Sequence, residues 1–180
     1  MITYRPRVLL LKSTMAMLRL ARAEDLPAVT AIYNDAVART TGTFDTEPKT
    51  LEQQREWFAR HGASHPVIVA EESGRVVAWA SMSPWSDRCA YARTSEVSVY
   101  VEEAARHRGL AGALLDELLK LGRAAGTAQA MARITADNEV SLRLHARRGF
   151  VEVGRLRRVG EKFGRILDVH ILQLSLEDAP

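Results

Sequence analysis

In the octapeptide Arg106-His107-Arg108-Gly109-Leu110-Ala111-Gly112-Ala113, a valine-rich run has just ended at Val101 and leucines at helical spacing begin. Small residues let the backbone come close to a ligand. The first N–H groups of a helix have no partner within it, and the helix dipole favours negative charge there. A pyrophosphate fits such a turn, with Arg106 and Arg108 adding charge; a tight strand-to-helix turn with two solvated arginines is the other reading. No Gly-Lys-Ser/Thr follows, which excludes a Walker loop, and Gly109-Leu110-Ala111-Gly112 is not in the order of a dinucleotide fingerprint.

Two further groups have chemistry to offer. Glu96 lies at the start of the same valine-rich run, where partial burial would lift its carboxyl toward the range of a general base; a strand-end charge is the plain alternative. Asn138 and His145 are seven residues apart. At about 100° per residue that spacing falls about 20° short of two turns and puts both on one helix face. An Asn cap and a half-buried histidine would look the same. His61 and His65 flank Gly62 and precede Pro66 with no glutamate to complete a zincin motif, so no metal site is expected.

The elements that must position these groups can be read from period. Glu24-Asp25-Leu26-Pro27 opens a helix carrying Leu26, Val29, Ile32, Tyr33 and Ala36, and Thr50 with Gln53 forms a capping box for a second, short helix. Pro66–Ala70 and Val76–Met82 read as a hairpin, and Thr94–Val101 as a strand that puts Glu96 and Ser98 on one face. Leu110, Leu114, Leu118 and Leu121 mark a long helix. A strand follows at Ala130–Thr135, a helix at Asn138–Arg148, and closing strands at Phe150–Arg158 and Ile166–Leu174. The class is mixed α/β (α+β). Residues 1–16 show no sustained period and are expected to be a disordered or start-site extension, with one domain over 17–176 beginning near Leu18 and a tail at 177–180.

Composition bounds the function. A length of 180 residues with 47% hydrophobic and 26% charged residues suits one globular core and excludes wholesale disorder. The single cysteine, Cys89, excludes an intramolecular disulfide framework and points to a reducing, cytoplasmic setting. No apolar run approaches the length of a membrane span, and no cleavage pattern marks a signal peptide. The 25 basic and 22 acidic residues leave a formal charge of only +3, which suits a polyanionic small ligand. Arg143, Arg147, Arg148, Arg155, Arg157 and Arg158 read as a solvated helix face and strand end rather than a nucleic-acid surface.

Taken in order, these elements resemble the GNAT N-acetyltransferase superfamily, whose motif Q/R-x-x-G-x-G/A is met by Arg106-His107-Arg108-Gly109-Leu110-Ala111. From Leu18 to about Leu174 the chain resembles the phosphinothricin and methionine sulfoximine acetyltransferases. The residues that carry this are Ile32-Tyr33-Asn34, Thr43-Phe44-Asp45-Thr46-Glu47-Pro48, Pro84-Trp85, Tyr91, Thr94, Glu96, Ser98-Val99-Tyr100-Val101, Asn138, Leu144-His145, Gly149-Phe150 and Gly160-Glu161-Lys162-Phe163-Gly164.

The resemblance implies a GNAT fold: a central mixed, strongly twisted sheet of six to seven strands flanked by about four helices. It implies acetyl-CoA as co-substrate, met along its pantetheine by the backbone of Val99, Tyr100 and Val101 and by Asn138, and at its pyrophosphate by Arg106, His107, Arg108, Gly109, Leu110, Ala111 and Gly112. Glu96 would be the base, directly or through water, an N–H near Val99 the oxyanion donor, and His145 the group that protonates or stabilises the leaving thiolate. The acceptor would meet Phe44, Trp85, Ser86, Asp87, Arg88, Tyr91, Arg93, Glu96, Val97 and Ser98. A homodimer is implied, with no metal.

The chain departs from that pattern at the acceptor site. Ser86 and Ala92 stand where relatives often carry basic residues, with Arg88 and Arg93 displaced by two and one positions; Val97 replaces a polar residue and Ile166 a tryptophan. Another small amine, a peptide N-terminus, or CoA binding without turnover are the competing readings.

Overall fold

The computed structural model describes residues 4–11 and 14–177, so the expected tail lies almost wholly outside the described residues. Among them, eight strands form one sheet in the order β1-β2-β3-β4-β5-β6-β8-β7. The strands are β1 Arg7–Leu11, β2 Thr14–Leu20, β3 Val67–Glu72, β4 Arg75–Pro84, β5 Thr94–Val101, β6 Gln129–Thr135, β7 Val151–Lys162 and β8 Arg165–Ser175. Four α-helices join them: α1 Leu26–Arg39, α2 Leu51–Ala59, α3 Leu110–Ala124 and α4 Glu139–Ala146.

Local chemistry sets the helix starts. At α2, the Gln53 N–H donates to Thr50 Oγ1 at 3.2 Å while the Thr50 N–H donates to Gln53 Oε1 at 2.9 Å, the reciprocal capping box read from the sequence. Pro27 sits in the first turn of α1, where its missing N–H costs nothing.

The sheet is covered on both faces. Leu110, Leu114, Leu115 and Leu118 of α3 pack with Ile68 and Ala70 of β3 and with Ala78, Ala80 and Met82 of β4. The alternate residues Val69 and Trp79 meet Val29 and Ile32 of α1 on the other face. Truncating one of the fully buried leucines to alanine would cost about 2–5 kcal/mol.

The eighth strand corrects one expectation. Residues 7–11 are not without structure: β1 pairs antiparallel with β2 from Arg7↔Leu18 to Leu11↔Thr14, and β2 itself begins at Thr14 rather than near Leu18. Arg7-Val8-Leu9-Leu10-Leu11 carries no polar alternation, so its own pattern is silent; the edge of β2 supplies the partner. Arg7 Nη1 also meets Glu117 Oε2 of α3 at 3.0 Å, and the Tyr4 hydroxyl donates to the Leu18 carbonyl at 3.2 Å.

One break in the sheet positions everything that follows. All neighbouring strands are antiparallel except β5 and β6, which run parallel and pair only over Thr94–Glu96 against Gln129–Met131. β5 stays in register with β4 up to Val101 while it leaves β6 after Glu96. Among the described residues no helix is long and apolar enough to cross a membrane.

Candidate functional site

Where β5 and β6 separate, a cleft of about 1280 Å³ opens. One wall is β5 from Glu96 to Val101, another is β6 from Ala132 to Thr135, and the turn into α3, the start of α4 and the loop Thr40–Asp45 complete it. The β5 backbone beyond Glu96 has no β6 residue in register beside it, so it presents strand-type donors and acceptors to the cleft.

The turn into α3 has the geometry of an anion cradle. His107 and Gly109 both take left-handed backbone conformations, φ 61 and 90, and Gly109 is the N-cap of α3. A left-handed residue next to a helix start gathers successive N–H groups in one concavity. At Gly112 a Cβ would collide with the Arg148 guanidinium. Arg148 is held there by Asp116, at 2.7 and 3.1 Å, and by the Leu144 carbonyl at 3.0 Å. Arg143, Arg147 and Arg148 all line the cleft, so these three arginines are part of its mouth and not only a solvated helix face.

The two arginines of the octapeptide part company. Arg106 lines the cleft and its Nε donates to the Val101 carbonyl at 3.3 Å. Arg108 points away: its Nη2 meets Glu72 Oε2 at 2.9 Å and its Nε donates to the Ala105 carbonyl at 3.4 Å. Its backbone remains in the turn, but its charge does not serve the cradle.

Asn138 and His145 both line the cleft, as their spacing requires. Asn138 caps α4, its Oδ1 accepting from the Ser141 N–H at 3.1 Å, which leaves its amide NH2 uncommitted to the cap. His145 is buried, edge-on to Phe150, with Nδ1 2.8 Å from the Ser141 carbonyl. A carbonyl only accepts, so Nδ1 carries the proton and Nε2 is left as a lone pair. Burial pushes the imidazole pKa down from its ordinary value, which favours that neutral form. His145 is therefore built to accept a proton or hydrogen bond at Nε2, a poor match to the expected role of donor to a thiolate.

Glu96 is the residue whose setting differs most from expectation. Its Oε1 accepts from Arg133 Nε at 2.7 Å and its Oε2 from Arg133 Nη2. The carboxylate is thus met by a cation at both oxygens rather than enclosed by apolar groups. Glu96 in turn pushes the Arg133 pKa up, chiefly through that hydrogen bond. Arg133 lies 5.3 Å over the Trp85 ring, which ties the Pro-Trp loop to the cleft. Sequence reasoning passed over Arg133. Its signal was an arginine within the otherwise apolar stretch Ala130-Met131-Ala132-Arg133-Ile134.

Of the expected acceptor contacts, Phe44, Glu96, Val97 and Ser98 line the cleft, and Trp85 reaches it through Arg133. Half-buried Ser86 and exposed Asp87, Arg88 and Tyr91 lie in a loop outside it, with the Arg88 N–H on Ser86 Oγ at 3.3 Å. Arg93 is tied elsewhere, to Glu177 at 2.7 Å and to the Gly126 carbonyl at 3.1 Å. It lies just before the first residue of β5, where that strand is still paired with β6, so it does not replace a displaced clamp. The opposite wall is held by Tyr33, whose hydroxyl contacts Thr43 Oγ1 at 2.9 Å and donates to Asp45 Oδ2 at 2.7 Å; burial raises its pKa to about 12.

The chain that carries this splayed strand pair and helix start is similar to known proteins. The model of the acetyltransferase (GNAT) family matches residues 29–150. This chain belongs to that family. The L-methionine sulfoximine/L-methionine sulfone acetyltransferase of Pseudomonas paraeruginosa is 40% identical over 164 residues, 90% of this chain and 95% of its own length. The phosphinothricin N-acetyltransferase of Streptomyces coelicolor is 42% identical over 150 residues, 81% of this chain and 88% of its own. The crystal structure of a phosphinothricin acetyltransferase from Sinorhizobium meliloti in complex with acetyl-CoA superposes with a TM-score of 0.85 at 34% identity, over 89% of this chain and 88% of that one. The fold expected from the sequence is the fold observed, with eight strands in place of six to seven. The protein is an N-acetyltransferase of the GNAT family, whose members bind acetyl-CoA.

Proposed function

We propose that this acetyltransferase moves the acetyl group of acetyl-CoA to the α-amino group of a small amino-acid-like acceptor, of the phosphinothricin or methionine sulfoximine type, by direct attack in a ternary complex. The observation that carries the reading is the place of Glu96, on the cleft wall where β5 leaves β6, in a chain whose relatives are named for those acceptors.

Acetyl-CoA supplies an acyl thioester. The residues present suit it: the unpaired β5 edge from Val99 to Val101 for the pantetheine, the left-handed turn from His107 to Gly112 with Arg106 for the pyrophosphate, and the Asn138 amide beside them. An N–H near Val99 would be the donor for developing negative charge on oxygen. Glu96 would take the ammonium proton, directly or through water, once one of its oxygens is released by Arg133. Because His145 presents an acceptor, the thiolate proton falls to water, and Tyr100 of the cleft wall, kept protonated by burial, would stabilise the sulfur only as a hydrogen-bond donor.

Exposed Val151 and Val153 on edge strand β7, outside the cleft, support a homodimer, and Cys89 without a disulfide suits a cytoplasmic setting. Acetylation would neutralise the amine of such analogues, the chemistry of resistance to them. The test is release of free CoA from acetyl-CoA against phosphinothricin, methionine sulfoximine, methionine sulfone, the ordinary amino acids and polyamines. Turnover with the glutamate-like analogues is expected; silence with them beside turnover of polyamines would sink the reading.

A further inference from the structure

Arg133 puts a cation on the cleft wall beside Glu96. Its neighbours in β6, Ala132 and Ile134, are buried, while its own side chain is about half exposed and lies in the cleft. It grips Glu96 through both Nε and Nη2. Its guanidinium carbon lies 5.3 Å over the Trp85 ring. With its arginine end about half exposed, the ion pair does little to hold the fold together. A planar fork lying over an aromatic ring is, however, the geometry that recognises a carboxylate at two points.

The pair is also the complement of a free α-amino acid, which carries an ammonium and a carboxylate on one carbon. We propose that Arg133 is the carboxylate-binding residue for the acceptor, and that the amino acid enters by exchanging ions with the Glu96–Arg133 pair. The acceptor carboxylate takes the fork that Glu96 held, and the acceptor ammonium takes the carboxylate that Arg133 held. One ion pair becomes two, and Glu96 is released against the very proton it must remove. Trp85 keeps the guanidinium plane in place during the exchange.

The inference rests on the amino-acid reading above and deepens it. It also resolves what the sequence left open, since Arg88 stands outside the cleft and Arg93 is bound to Glu177 and Gly126. An amine without a carboxylate would take Glu96 and leave the Arg133 charge with no partner for its fork. Acceptor choice then follows from a single strand position.

The experiment compares the full chain with R133Q and R133K, using L-methionine sulfone and its methyl ester as acceptors and measuring acetyl-CoA affinity in parallel. R133Q is expected to raise KM for the free acid by about tenfold or more, as befits a lost charge-assisted fork, and to change KM for the ester by less than about threefold. R133K, which keeps the charge without the fork, falls between. Acetyl-CoA affinity should stay within about twofold, and this also reports that the variant is folded. Should R133Q fail that control, R133K carries the comparison. An unchanged KM for the free acid, or an equal loss with acid and ester, overturns the proposal. Wild-type turnover of polyamines with none of the free amino acids overturns the amino-acid reading itself, before any variant is made.

Discussion

The ring of Phe44 lies against the bare Cα of Gly160, so close that a Cβ there would fall on the ring carbons. Two residues on, buried Lys162 donates from Nζ to the Thr43 carbonyl at 2.8 Å, and burial pulls its pKa down. Ring and amine together fasten the Thr40–Asp45 wall of the cleft to β7. In Gly160→Ala the rigid ring cannot yield by bending and must swing aside, carrying the wall with it. Acceptor KM is expected to rise about tenfold, the scale of a 1 Å misplacement or less, while acetyl-CoA affinity changes little. Steady-state kinetics checks this; an unmoved KM would remove Phe44 from the acceptor site.

Glu96→Gln keeps the size of the side chain and removes its basicity. Turnover should fall by at least about tenfold, with acetyl-CoA affinity within about twofold of the wild type. A pH–rate profile on both proteins is the check. Wild-type-like turnover across the range would exclude Glu96 as the base.

His145 links stability to pH. Its folded pKa lies below the ordinary value near 6.5 because burial disfavours the charged ring. The unfolded chain therefore binds the proton more readily, and stability is lost as pH falls through about 6.5 toward the folded pKa. His61 and His65 are shifted the same way by burial and add to the slope. Melting temperature should drop between pH 7.5 and 5.5, and drop less in His145→Gln. An identical drop in both proteins would remove His145 from the linkage.

Arg106 and Arg108 should behave as opposites. Arg108→Ala leaves the cradle intact but strands Glu72, whose Oε1 is already buried with no partner among the described residues. That should cost about 1–3 kcal/mol in denaturant unfolding, with acetyl-CoA affinity unchanged. Arg106→Ala should weaken acetyl-CoA binding and alter stability less. If both weaken the ligand equally, the Arg108 side chain turns into the cleft when ligand is bound.

The elements were legible where local chemistry dictates them. Thr50 with Gln53, the Val97-Val99-Val101 alternation and the leucine stripe of α3 each put a period or a cap into a few consecutive residues, and α2 with its N-cap, β5 and α3 contain those signals. The cleft wall at Glu96, the turn at Gly109 and the shared face of Asn138 and His145 were legible for the same reason. What escaped were pairings made only by the tertiary fold. Arg7-Val8-Leu9-Leu10-Leu11 becomes a strand because β2 offers an edge. Arg108 leaves the cradle because Glu72, at the end of β3, lies within reach. Arg133 meets Glu96, 37 residues earlier, because two parallel strands bring them together, and no spacing rule reaches that far.

The short pairing between β5 and β6 gives the molecule a seam. On one side stand β1 to β5, on the other β6, β8 and β7, and three register positions join the two halves of the sheet. Amides along that seam should exchange with solvent hydrogen through local opening well before those of β3 and β4, whose neighbours are paired on both sides. A ligand lying along the free edge of β5 would act as a removable staple between the halves. Each catalytic cycle would then tighten the sheet on loading and slacken it on release, so that the rhythm of turnover is written into the rigidity of the fold.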